Sequence, residues 1–131
     1  GAWMSMGPLA SGVPMGASHG IGYILGALRG VPHGHTSCVM LPPVMRWNLQ
    51  ANADRQALVS AAMGRPNDAA ADCLHDLIKK IGMPTTLTEV GVEPEMFQAI
   101  AEGAMKTPWV PRNPRPISGP EAIMEILPTA A

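Results

Sequence analysis

Two histidines and one tyrosine are the side chains best suited to chemistry in the first third of the chain. His19 and His33 are separated by fourteen positions, and Tyr23 follows His19 by four residues. A neutral imidazole is the commonest metal ligand in proteins, and a phenol can donate or relay a proton. Because stable metal sites usually need three or four ligands, this spacing alone leaves a structural role for both histidines open.

A helix is expected to present His19 and Tyr23. The apolar residues with the i, i+3, i+4, i+7 spacing of a buried helical face are Ile21, Ile24, Leu25 and Leu28. The residues of the opposite face are His19, Gly22, Tyr23 and Gly26. A face this small and uncharged suits the close approach of another helix or of a ligand. Ser18 is predicted to cap this helix, and Pro32 prevents its continuation beyond Gly30.

A second helix is expected to present His33. It should begin at His33 or Gly34 and run through Leu41, where Pro42-Pro43 must kink or break it. His35 follows His33 by two residues. Because residues i and i+2 of a helix do not face each other, we interpret His35 as a neighbour of the site and not as a ligand.

The clearest helical pattern of the chain spans Ala69 to Ile81. Asp68 is predicted to cap this helix, and Gly82 to end it. Its predicted apolar stripe consists of Leu74, Leu77, Ile78 and Ile81. The stripe should therefore pack against the body of the domain.

Two further helices are predicted near the C-terminus, with an extended segment between them. Pro94 opens the first, over Glu95 to Lys106. The four prolines of Thr107 to Ile117 require an extended chain, which Trp109 should hold against the body of the domain. The last helix follows a capping-box sequence that starts at Ser118.

The helical periodicity of these segments predicts an all-α fold, a multi-helix bundle-like domain of 131 residues. Only 15% of the residues are charged, against a usual fraction of about 25%. Apolar surface should therefore remain exposed, and we expect the chain to form a homo-oligomer. The net charge of −1 offers no basic surface, so no nucleic-acid partner is expected.

A membrane span and a disulfide framework are not predicted. The stretch from Gly1 to Leu28 has no charged residue. It is nevertheless interrupted by glycines, prolines and His19, and it never reaches the roughly 18 continuous apolar residues of a spanning helix. Cys38 and Cys73 lack CxxC spacing, which favours reduced cysteines and a cytoplasmic location.

The densest sequence motif of the chain lies between Met15 and Asn48. Its parts are Gly16-Ala17-Ser18-His19-Gly20-Ile21-Gly22, Gly26-Ala27-Leu28, Val31-Pro32-His33-Gly34 and Leu41-Pro42-Pro43-Val44-Met45-Arg46-Trp47-Asn48. With the later segment Asn113-Pro114-Arg115, this pattern resembles the iron-dependent (group III) alcohol dehydrogenase superfamily, which includes maleylacetate reductases.

The resemblance implies a metal site. In that family the two histidines that match His19 and His33 bind a catalytic divalent metal, Fe²⁺ or Zn²⁺. The family's other ligands, an Asp and a His four residues apart, lie upstream together with its glycine-rich nucleotide-binding domain. Residues 1–131 would then be part of a dehydroquinate synthase-like C-terminal domain, and NAD(P) would bind only with the missing domain. Four residues after the first ligand the family often has another His, close to substrate and cofactor. This chain departs from that pattern with Tyr23, which is the candidate catalytic residue because a phenol can still donate or relay a proton.

Two functions of different classes follow. The first is the C-terminal part of a metal-dependent, NAD(P)-linked dehydrogenase for a small alcohol or carbonyl substrate, contributing His19 and His33 and inactive alone. The second is a stand-alone, non-catalytic helical module that associates with itself or with a partner. The chain begins at Gly1 without an initiator methionine, which fits the expectation of a fragment.

Overall fold

A computed structural model describes the backbone of residues 1–131 and every side chain except those of Ala2, Ser5 and Leu9. The α-helices are α1 (Ala2–Ala10), α2 (Ala17–Arg29), α3 (His33–Ala62), α4 (Ala70–Lys80), α5 (Phe97–Met105) and α6 (Pro120–Ile126). Short 3-10 helices span Thr88–Val90, Pro94–Met96, Val110–Arg112 and Leu127–Ala130. The described backbone contains no β-strand, so the predicted all-α class is confirmed.

Helix α2 lies at the centre of the domain and packs against both α3 and α5. Its side chains Ile21 and Leu25 are completely buried, and Ile24 is partly buried against the same core. Leu28, the fourth residue of the predicted apolar face, is 50% exposed because it lies in the last turn of the helix. The face is therefore confirmed for its first three positions.

Helix α3 contradicts the predicted interruption at Pro42-Pro43. The helix continues through both prolines, which are buried, and its backbone departs from helical dihedral angles at Asn52. Each proline removes one N–H donor from the helix, but both rings pack in the interior. At the actual kink, the Gln56 side chain donates hydrogen bonds to the Met45 carbonyl and to Asn52 Oδ1. This side-chain bridge holds the two halves of α3 together.

The predicted helix caps are wrong at three positions. Helix α2 begins after Gly16 instead of Ser18, α4 after Ala69 instead of Asp68, and α6 after Gly119 instead of Ser118. Asp68 forms an ion pair with Arg65 at 2.6 Å instead. Local sequence thus located these helices within a residue or two without identifying what satisfies their first N–H groups.

The buried face of α4 differs from its predicted stripe. Ile78 is buried as expected, but Leu77 and Ile81 are 44% and 59% exposed. The small residues Ala70, Ala71 and Cys73 supply the remaining contact surface. Helix α4 packs against α3, and mostly small residues are buried in α4 in place of the predicted Leu77 and Ile81.

Helix α5 starts at Phe97, later than the predicted Glu95, because the 3-10 helix Pro94–Met96 precedes it. Of the residues that helical spacing predicts to face inward, Met96 is partly buried. The others, Phe97, Ile100, Ala101 and Ala104, are buried. The segment after α5 agrees with its prediction in part. The segment predicted as extended contains the 3-10 helix Val110–Arg112. In the part of the chain that the structure describes, no helix is long and apolar enough to cross a membrane; the cytoplasmic location stays a prediction.

Candidate metal centre

The fold brings the two candidate ligands together. His19 is the third residue of α2, and His33 is the first residue of α3. Their ring centroids lie 5.5 Å apart with an interplanar angle of 79°. The His19 side chain is partly buried and that of His33 is exposed, so the pair lies at the surface of the domain with one ring anchored inside it.

This separation fits two imidazoles on a single metal ion. With ring nitrogen to zinc distances of about 2.0–2.1 Å and near-tetrahedral angles, two ring centroids lie roughly 5 Å apart. The described residues contain no group of three or more His, Cys, Asp or Glu side chains that could hold a metal ion. Within that part of the molecule the candidate centre thus offers two imidazoles.

The close approach of α2 and α3 explains why the rings meet. Gly22 lies three residues after His19, and Thr36 lies three residues after His33. A Cβ atom added at Gly22 would lie 3.0 Å from Thr36 Oγ1 and 3.2 Å from its Cβ. The glycine allows this contact without a shift of Thr36. The contact lies one turn inside each helix from its histidine.

The connection between the helices begins at Gly30. This residue adopts the left-handed conformation, with φ of 65°, and its N–H donates a hydrogen bond to the Gly26 carbonyl. Such a conformation is readily adopted by glycine and ends the helix. Pro32 then precedes α3 with extended backbone dihedral angles, so three residues suffice to reverse the chain and deliver His33 beside His19.

A residue far along the chain fixes the start of α2. Asn113 Oδ1 accepts a hydrogen bond of 3.1 Å from the Ala17 N–H, and so caps the helix from 96 positions away. The Asn113 amide also donates to Asn48 Oδ1 at 2.6 Å and to the Arg115 carbonyl at 2.8 Å. Both asparagines are buried. This network joins α2, α3 and the segment before α6 two residues from His19.

The environment of His19 favours the neutral imidazole. Burial lowers the pKa of His19 from its usual value of 6.5, and the adjacent charge of a protonated His33 lowers that pKa further. A neutral ring is the form that coordinates a metal. His19 is therefore available as a ligand at neutral pH.

Tyr23 lies one turn after His19, and 58% of its side chain is exposed. It lines a groove of about 280 Å³ whose walls are Gly22, Tyr23, Gly26, Ala27, Val31 and His33. It also lines a second groove of about 380 Å³, together with Ile24, Gly103, Lys106, Thr107, Pro108 and Trp109. The phenol thus stands between two openings, and one of them reaches His33.

Trp109 belongs to this cluster, although the sequence indicated only a packing role for it. Its indole contacts the His19 ring edge-on, with centroids 4.6 Å apart, and lies 5.5 Å from the Tyr23 ring. The proline-rich segment around it gave no sequence signal for a neighbour of the site. His35, two residues beyond His33, makes no ring contact with His19 in the described part of the chain.

Comparison with known proteins points to one family. The sequence model for the Fe-containing alcohol dehydrogenase family, C-terminal, matches residues 2–131. Lactaldehyde reductase of Escherichia coli strain K12 is 31% identical over 129 residues, which cover 92% of this chain and 34% of the relative. The chain thus spans about a third of the length of the curated relatives it matches.

Solved structures show the same similarity. A crystal structure of 1,3-propanediol oxidoreductase gives a TM-score of 0.78 at 29% identity, covering 88% of this chain and 32% of that chain. Maleylacetate reductase from Agrobacterium tumefaciens gives a TM-score of 0.75 at 29% identity, covering 88% and 31%. The fold of the described domain is that of the matching part of these enzymes.

Proposed function

The chain belongs to the Fe-containing alcohol dehydrogenase family, and from this membership we propose that it forms the metal-binding helical part of an NAD(P)-linked alcohol dehydrogenase or carbonyl reductase. The observation that carries the proposal is the 5.5 Å separation of the His19 and His33 rings. The two residues come from different helices and converge only through the fold. Fe²⁺ and Zn²⁺ both accept imidazole ligands, so either suits this pair.

The two histidines would hold the metal through neutral ring nitrogens. Burial of His19 supports this role because it keeps the pKa of that ring low. A divalent ion bound there supplies Lewis acidity toward the oxygen of an alcohol or carbonyl substrate. His33 is exposed and lines the same groove as Tyr23, so a metal held by His33 would be accessible from that groove.

Tyr23 is proposed to transfer the proton at the substrate oxygen. Its exposed phenol stands beside the groove that His33 lines, where a small alcohol or carbonyl compound would be in reach. A positioned phenol can act as a general acid or base. The nicotinamide cofactor and the remaining metal ligands are proposed to come from sequence outside these 131 residues, and this chain alone is expected to be inactive.

A non-catalytic helical module that associates with itself is the second candidate. It is favoured by the large apolar side chains that α1 leaves in solvent. Trp3 is 90% exposed, Met4 is 82% exposed and Met6 is 56% exposed. The second candidate assigns no metal to His19 and His33, so metal binding separates the two.

Titration calorimetry of the chain with Zn²⁺ tests the proposal. Wild type should bind one ion, and His19→Ala or His33→Ala should weaken binding by at least about tenfold because two-ligand sites lose half of their donors. His35→Ala is the matched control, since it removes a nearby imidazole of the same helix and should leave the affinity unchanged. Equal affinities for all four proteins would show that His19 and His33 form no shared site.

A further inference from the structure

The indole of Trp109 is the ring nearest to the His19 imidazole. Their centroids are 4.6 Å apart, compared with 5.5 Å between His19 and His33, and the planes of indole and imidazole meet at 89°. This is the edge-to-face arrangement that aromatic rings prefer. The His19 ring thus contacts both the Trp109 indole and the His33 imidazole.

The backbone segment that carries Trp109 is itself held in place. The next residue, Val110, is completely buried, and the buried Thr107 hydroxyl donates a hydrogen bond of 2.7 Å to the Ala104 carbonyl. A Cβ atom added at Gly20 would lie 2.6 Å from Val110 Cγ2 and 2.7 Å from Thr107 Oγ1. The absence of a side chain at Gly20 lets this segment close on α2 one residue after His19.

A metal-binding histidine needs a neighbour that fixes the orientation of its ring. In metal sites the second ring nitrogen usually donates to a carboxylate or a carbonyl, which fixes the ring orientation. Within the described residues, no hydrogen bond to the His19 ring accompanies its two ring contacts. Packing against Trp109 is therefore the contact that can select one rotamer of His19 before a metal binds.

We propose that Trp109 is a positioning residue whose indole holds the His19 imidazole in the orientation that faces His33. The effect of Trp109 on metal binding rests on the proposed metal centre. The fixed orientation of His19 does not, because it exists in the metal-free chain. Trp109 lies ninety residues from His19 in the sequence, so this role follows from the fold and from no local motif.

Zn²⁺ titration of the 131-residue chain measures the functional consequence. Trp109→Ala should weaken Zn²⁺ binding by about tenfold, the lower end of the effect of outer-shell changes. Trp109→Phe keeps an aromatic edge against His19 and should retain the wild-type affinity. Phe97→Leu is the control: it alters a buried aromatic residue of α5 and should lower stability without changing the affinity.

An NMR measurement on the metal-free chain separates this proposal from the proposed function. Wild type and Trp109→Phe should show a nuclear Overhauser effect between ring protons of His19 and His33, whose centroids are 5.5 Å apart. Trp109→Ala should lose it. If circular dichroism shows that Trp109→Ala does not fold, Trp109→Leu replaces it with the same expectation.

The outcomes are distinct. Loss of the ring contact in the alanine or leucine variant, with rescue by phenylalanine, supports the positioning role even if wild type binds no Zn²⁺, a result that would overturn the metal site alone. Retention of the ring contact in folded Trp109→Ala or Trp109→Leu would overturn the positioning role, whatever the Zn²⁺ affinities are.

Discussion

His19 is the residue on which most of the site depends. His19 lies two residues after Ala17, whose N–H donates a hydrogen bond to Asn113 Oδ1. Its ring contacts both His33 and Trp109. Burial and the neighbouring imidazole both disfavour its protonated form. The same environment therefore suits the proposed metal ligand and makes the folded state sensitive to acid.

The stability of the chain should depend on the protonation of His19. The pKa of His19 is lowered in the folded state, so the unfolded chain takes up this proton more readily. Above about pH 6.5, the pKa of His19 in the unfolded chain, the contribution of neutral His19 to the free energy of unfolding is complete. This contribution is lost as the pH falls through the lower pKa of His19 in the folded chain. Urea unfolding from about pH 8 to about pH 5 should show a smaller loss of stability for His19→Gln than for wild type.

The control for this titration is His35→Gln, which removes another imidazole near the start of α3. It should keep the pH dependence of wild type. If His19→Gln and wild type lost the same stability over this range, the burial of His19 would have no energetic consequence, and the assignment of a neutral ligand would lose its support.

At the scale of elements, helix α2 could be predicted and the geometry between helices could not. The i, i+3, i+4 spacing of Ile21, Ile24 and Leu25 is a local signal, as is the stop at Gly30. The cap of α2 comes from Asn113, 96 residues away. No pattern within α2 could identify this partner, and so the predicted N-cap at Ser18 is wrong.

The course of helix α3 also could not be predicted from its local sequence. The two consecutive prolines are a strong local signal for a break, yet burial of both rings keeps the helix intact. The kink occurs at Asn52, where Gln56 bridges to Asn52 and Met45. Tertiary packing decided between these positions, and local propensity alone pointed to the wrong one.

The family resemblance implies that His19 and His33 lie close together, whereas their separation in the sequence does not. The sequence placed His19 and Gly22 on one helical face, which is correct. The distance between His19 and His33 depends on the pairing of Gly22 with Thr36, and that pairing requires the arrangement of α2 against α3.

Adding a methyl group at Gly22 should loosen the metal centre. A Cβ atom there would lie 3.0 Å from Thr36 Oγ1 and 3.2 Å from Thr36 Cβ, so Thr36 must give way. We expect the first turn of α3 to move with Thr36 and to displace His33. Gly22→Ala should therefore weaken Zn²⁺ binding by about tenfold, as expected for a change outside the ligand shell. Titration calorimetry measures the affinity, and denaturant unfolding confirms that the variant is folded.

Gly26→Ala is the matched control on the same face of α2. A Cβ atom at Gly26 would lie 3.6 Å from the Val31 carbonyl oxygen, an ordinary contact. This variant should gain about 0.5–1 kcal/mol of stability from helix propensity and bind Zn²⁺ as wild type does. Equal affinities for Gly22→Ala and Gly26→Ala would contradict the role of the Gly22–Thr36 contact.

For the whole molecule, the two most exposed of the described large apolar side chains lie near the N-terminus. Trp3 and Met4 of α1 are 90% and 82% exposed, and Val13 beyond it is 55% exposed. Surfaces of this kind promote association. The domain should therefore form oligomers in solution, as the low content of charged residues predicts.

Light scattering after size-exclusion chromatography tests the oligomeric state. Wild type should elute as a species larger than 13.7 kDa, and the double variant Trp3→Ser, Met4→Ser should shift toward the monomer. Leu58→Ser, which removes an exposed apolar residue of α3, should leave the distribution unchanged. A monomeric wild type at high concentration would contradict the prediction.

A crystal structure of the chain soaked with Zn²⁺, with data collected at the zinc absorption edge, tests the proposed metal centre at the atomic level. A metal ion shared by His19 and His33 predicts a single anomalous peak within about 2.0–2.1 Å of one ring nitrogen of each histidine. Zinc bound to only one of these rings, or at other positions with the His19 and His33 rings pointing apart, would contradict it.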